Sequence, residues 1–138
     1  MKHQNRPDAP KLKDQVRVVF DQLAPVYEHS TDTTSLYNSE YERPAMMKHV
    51  PSSLSNKTVL DAGCAAGWYS EQLLGRGAKV VAIDTSPEMV ASAERRVGGG
   101  AEVLRLDLEG TMPFHDHSFD FILSSLTLHY LKSWNRTF

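Results

Sequence analysis

Apolar residues recur at helical spacing between Lys11 and Tyr27, at Leu12, Val16, Val19, Phe20, Leu23 and Tyr27. Pro25 interrupts that stripe and predicts a kink or two short helical pieces. Residues 30–42, STDTTSLYNSEYE, are polar and read as a loop. Pro44 suits the first turn of a further helix running to Val50, and PSSLSNK is then a connector. From Thr58 the pattern changes. Short apolar runs, TVLDA, KVVAID, AEVLRLD and FDFILSSL, alternate with the helix-like stretches GWYSEQLLGRGA and TSPEMVASAERRV. Gly75 or Gly77 ends the first of those helices; Ser86 caps the second, with Pro87 in its first turn. Near-continuous apolar strands alternating with helices predict an α/β fold, a Rossmann-like parallel sheet covered on both faces. The chain therefore divides into an N-terminal helical segment, residues 1–55, and a core, residues 56–138. Residues 1–10 read as a mobile lead, Gly98–Gly100 as a flexible loop closing a helix, and no internal repeat is present.

Composition narrows the classes. The 138 residues are 41% hydrophobic, which is globular and enough for a real core. The formal charge of -2 offers no electrostatic case for nucleic acid, and no basic run suggests an anionic membrane surface. No apolar run approaches the ~18 residues of a membrane span, and the charged, proline-broken start does not resemble a signal peptide. The lone Cys64 cannot build an internal disulfide framework, so a reducing, cytoplasmic setting is expected.

The candidate chemistry begins at DAGCAAG, residues 61–67, at the carboxyl end of the first predicted strand. In a doubly wound sheet that end borders the point where ligands sit. Small residues there let a ligand approach the backbone, and the following helix offers unpaired N–H groups. A dinucleotide fingerprint laid on Gly63 gives Gly63, Ala65 and Trp68. Tryptophan is a poor third glycine, and Asp61 would repel a pyrophosphate. The same carboxylate favours a cation. S-adenosylmethionine, a nucleoside carrying a sulfonium and an ammonium, is a ligand of that kind, and Asp61 could accept from the ammonium directly or through water. The alternative is that Asp61 only caps N–H groups of the turn.

The stretch resembles the first motif of the class I S-adenosylmethionine-dependent methyltransferases, D-x-G-x-G-x-G, through Asp61, Gly63 and Gly67, with Ala65 where the family has glycine. VVAIDTSPEMV, RLDLEG and MPFHDHSFDFILSSL resemble the family's next three passages in order, in the form found in small-molecule enzymes of ubiquinone, menaquinone and biotin biosynthesis. VFDQLAPVYEHS is similar to the F-D-x-x-A-x-x-Y pattern leading into the cofactor lid.

The resemblance implies roles for particular residues. Asp84 would accept both ribose hydroxyls, Thr85 and Met89 would lie near the adenosyl group, and Asp107 and Leu108 would meet the adenine. Ser124, Ser125 and Leu126 sit where the fourth strand meets the cofactor loop, Cys64 is a cofactor-binding position of that loop and a small packing residue rather than a nucleophile, and Tyr27 would cover the methionine end, with Tyr41 and Arg43 weaker candidates. Plainer readings stay open: a helix-capping carboxylate at Asp84, a solvated loop acid at Asp107, a packing tyrosine at Tyr27. No catalytic residue is identified. His129, at the edge of strand four, is the best-placed weak candidate for a base, and no metal-ligand spacing occurs. The implied function is methyl transfer to a small-molecule acceptor by in-line displacement.

The pattern departs from the family at its end. Only the first four strands of the seven-stranded fold are expected here, which predicts a long apolar edge on strand four. Either the chain is a fragment of a longer enzyme, or a second copy or partner chain covers that edge. The alternative function is a non-catalytic cofactor-binding or assembly module.

Overall fold

In the computed structural model, residues 12–27, 37–133 and 135–137 are described. The expected lead at residues 1–10 and most of the polar loop lie outside them. Helix α1, Leu12–Val26, runs through Pro25 without division. Pro25 lacks the N–H that would bond the Asp21 carbonyl, and the α-helix ends one residue later, so no further turn has to be built on it. Residues Tyr37–Glu42, expected as loop, form a π-helical turn that feeds directly into helix α2, Arg43–His49, with Pro44 in its first turn.

The core follows as strand β1 (Thr58–Ala62), helix α3 (Trp68–Gly75), strand β2 (Lys79–Asp84), helix α4 (Pro87–Val97), strand β3 (Glu102–Arg105) and strand β4 (Phe121–Leu123). The strands form one sheet in the order β3-β2-β1-β4, every pair parallel. Strand order thus reverses at β1. Helix α4 starts as expected: the Ser86 hydroxyl accepts from the Met89 N–H at 3.1 Å, and Gly98 closes it in the left-handed conformation.

Alternation along the strands sorts the core into two faces. Val59, Val80 and Ala82 pack with Val50, Leu54, Leu73 and Ala93 beneath the helices. Leu60, Ala62 and Ile83 point the other way, onto Leu108, Met112, Phe114 and Phe119. That second face is covered by the β3–β4 connection rather than by a helix.

Strand β4 corrects an expectation. FDFILSSL was expected to pair along its length, but only Phe121–Leu123 does, against Val59, Leu60 and Asp61. The next residues leave the ladder because their side chains bond elsewhere: Ser124 Oγ donates to the Ala62 carbonyl at 2.9 Å, and Ser125 Oγ donates to Glu42. The edge is therefore short, although Ile122 on it is 52% exposed.

Candidate functional site

A cavity opens where the carboxyl ends of the four strands meet the N-terminal helices. Gly63, Cys64 and Ala65 line it from the loop after β1. Asp84 and Thr85 contribute from the end of β2, Leu106 and Leu108 from the segment after β3, and Ser125 and Thr127 from the segment after β4. Phe20 and Tyr27 close it from the N-terminal side, with Glu42, Arg43, Trp68 and Tyr69 at another wall.

Asp84 is the best-defined polar group. The Ala65 N–H donates to its Oδ2 and the Ser86 N–H to its Oδ1, each at 3.0 Å. A carboxylate oxygen accepts two bonds, so each oxygen keeps capacity for a ligand hydroxyl. Two acceptors held side by side suit a vicinal diol. Burial pushes the Asp84 carboxyl above its ordinary value, and the backbone N–H groups of Ser86, Ala65 and Thr85 hold that rise back.

The loop glycines serve packing first. A Cβ on Gly63 would lie 2.3 Å from Thr127 Oγ1, and one on Gly67 3.1 Å from Ala93, while both residues have positive φ. Ala65, where the family has glycine, also adopts a left-handed φ of 47°. Its backbone N–H bonds to Asp84 in this conformation.

Asp61 is 1% exposed and stands outside the cavity, its Oδ2 accepting from Ser70 Oγ at 2.7 Å. Burial pushes it up to about 6. Several other expected contacts also fall elsewhere. Gly67 and Met89 are buried in the packing beneath α1 and α4, Met89 against Ala24 and Ala66. Asp107 lies in an adjoining groove, paired with Lys13 at 3.2 Å. Ser124 bonds β1 and yields the lining position to Ser125. His129 is exposed against the Tyr130 ring, and it is Tyr130 that lines the cavity. Cys64 lines it with its thiol pushed up by burial, which suits packing rather than nucleophilic attack. Of the expected site residues, Tyr27, Gly63, Ala65, Asp84, Thr85 and Leu108 also line the cavity.

On the opposite wall, the sequence reading gave no role to Glu42 or Tyr69. Glu42 Oε1 accepts from Tyr69 Oη at 2.6 Å and from Ser125 Oγ. Arg43 is 7% exposed, with its guanidinium 4.2 Å over the Trp68 ring. Glu42 and Arg43 come from a polar stretch with no periodic signal of its own. Only the folded chain brings them to the start of α3.

The F-D-x-x-A-x-x-Y pattern of α1 also gains a physical account. Phe20 and Tyr27 line the cavity, and Ala24 packs against Ala66 and Met89. Asp21, held by Arg17 at 2.9 Å, accepts from Ser86 Oγ and so ties α1 to the start of α4.

The fold is shared with known proteins. A methyltransferase-domain family profile matches residues 60–138. Demethylmenaquinone methyltransferase of Clavibacter sepedonicus is 32% identical over 124 residues, covering 89% of this chain and 50% of that protein. A tRNA U34 carboxymethyltransferase from Shewanella sp. is 31% identical over 130 residues, covering 89% and 38%. Among solved structures, an S-adenosylmethionine-dependent methyltransferase from Mesorhizobium loti superposes with a TM-score of 0.58 at 35% identity, covering 66% of this chain and 42% of that one. One from Aquifex aeolicus superposes at 0.64 with 28% identity, covering 82% and 60%. The chain belongs to the S-adenosylmethionine-dependent methyltransferase family. It spans about half the length, or less, of these curated relatives. Among the described residues no helix is long and apolar enough to cross a membrane.

Proposed function

We propose that this cavity binds S-adenosylmethionine and that the chain, or the longer protein of which it is part, transfers a methyl group to a small-molecule acceptor. One observation carries the reading: both Asp84 oxygens are oriented by backbone N–H groups at the reversal point of the sheet, with acceptor capacity left for a ribose diol. The residues present fit the rest of the group. Ile83, Leu106 and Leu108 offer an apolar wall for a base, and the aromatic side chains Phe20, Tyr27 and Tyr130 exclude water.

When bound, the cofactor supplies an already activated methyl group. The chain's own tasks are then positioning and shielding. Asp84 fixes the ribose, the Gly63–Ala65 loop supports the middle of the ligand, and α1 covers the site as a lid, its Asp21–Ser86 bond holding it closed. The small-molecule reading is supported by the demethylmenaquinone relative and by the chain's net charge of -2, which provides no field for a polyanion. The tRNA U34 carboxymethyltransferase relative favours a second reading, a nucleic-acid acceptor.

The test is a pair of titrations. Asp84→Ala removes the acceptor of two ribose hydroxyls, so S-adenosylmethionine affinity should fall at least ~tenfold, as expected for bonds to a charged acceptor. An unchanged affinity would remove Asp84 from the ribose. Formation of S-adenosylhomocysteine with small acceptors, and none with tRNA, would separate the two acceptor classes.

A further inference from the structure

The sequence reading gives the cofactor's ammonium to Asp61, but the geometry favours another carboxylate. Asp61 is buried against Ser70 and does not line the cavity. Glu42 does line it. In sheet order β1 stands between β2 and β4. Asp84 lies on the β2 side, whereas Ser125, which donates to Glu42, follows β4. A ligand with its diol on Asp84 crosses the Gly63–Ala65 loop and brings its other end towards Glu42.

The surroundings of Glu42 suit a cation. Three separate elements fix it: Glu42 ends the π-helical turn, Tyr69 stands in the first turn of α3, and Ser125 follows β4. Both hydroxyls donate to Oε1, so the carboxylate is oriented while Oε2 receives neither. Tyr69 stays protonated as a donor, since burial and the Glu42 charge both raise its phenol above the ordinary value. The Trp68 and Tyr69 rings stand edge-to-face at 5.0 Å and line the same wall. The neighbouring Arg43 guanidinium gives this end a positive charge as well, so the end as a whole matches a zwitterion.

We propose that Glu42, positioned by Tyr69 and Ser125, receives the ammonium of the ligand's amino-acid end. The inference rests on the S-adenosylmethionine reading of the cavity. It predicts discrimination between S-adenosylhomocysteine, which carries that end, and 5′-methylthioadenosine, which lacks it.

Calorimetric titration of the full chain and its Glu42→Gln, Asp61→Asn and Tyr69→Phe variants with both compounds tests it, with circular dichroism to verify folding. Glutamine keeps an oxygen for the two hydroxyls, loses the charge and puts an NH2 donor in place of Oε2. Glu42→Gln should weaken S-adenosylhomocysteine roughly tenfold or more, the scale of a charge-assisted hydrogen bond, and leave 5′-methylthioadenosine within about twofold. Tyr69→Phe should shift the same ratio in the same direction by less, and Asp61→Asn should preserve it. Equal weakening of both ligands by Glu42→Gln would overturn the proposal, as would loss of discrimination in Asp61→Asn alone. If wild-type chain binds both compounds equally, the Glu42 assignment fails while the nucleoside site stands. If it binds neither, the cofactor reading itself fails.

Discussion

Ala65 holds a left-handed backbone that a glycine would adopt without penalty. A Cβ in that region costs roughly 1–2 kcal/mol, partly offset by the greater freedom of glycine in the unfolded chain. Ala65→Gly should therefore stabilise the protein by about 0.5–1 kcal/mol in urea unfolding, provided the N–H bond to Asp84 survives. Asp61 makes a second residue-scale case. Its carboxyl is raised from 3.8 to about 6 by burial, against the Ser70 hydroxyl. A raised folded value means the native state holds the proton more tightly than the unfolded one. This contribution is full below about pH 4 and is lost as pH rises through about 6. Asp61→Asn should stabilise the chain at pH 7.5 by about 1–3 kcal/mol, with the gain shrinking towards pH 4.5. Unfolding midpoints at the two pH values check it. An equal gain at both would mean that charge burial is not the cause.

At the scale of elements, β1, β2, α3 and α4 were readable from the chain because each carries its own local signal. The apolar runs Thr58–Ala62 and Lys79–Asp84 match the observed strands, and Ser86 with Pro87 marks the start of α4. The elements misread are those decided by tertiary bonds. Strand β4 stops at Leu123 because Ser124 and Ser125 find partners on β1 and on Glu42, and neither partner is visible in a local window. Tyr37–Glu42 has no apolar period, yet forms a π-helical turn whose last residue is anchored by Tyr69 and Ser125. The Asp21–Ser86 bond joins two elements in the same way. Ser86→Ala removes both the α4 cap and this tie, and should cost about 1–2 kcal/mol. Asp21→Ala should speed hydrogen exchange along α1 while leaving α4 protected. Equal loosening of both helices would contradict a tie located at Asp21.

For the whole molecule, the strand-end side of the cavity was legible in the sequence and much of the opposite wall was not. Asp84, Gly63 and Leu108 belong to the ends of regular strands, whose chemistry follows from topology. Glu42, Trp68, Tyr69 and Ser125 converge from segments that carry no shared sequence signal. The family profile matches from Leu60, within β1, so Glu42 lies outside it. If this four-stranded unit forms a working cofactor site, parallel calorimetric titrations of the purified, folded chain will show it. Saturable one-site binding of S-adenosylmethionine and no heat from NADH is the expected outcome. Binding of NADH with none of S-adenosylmethionine, or silence towards both, would contradict it.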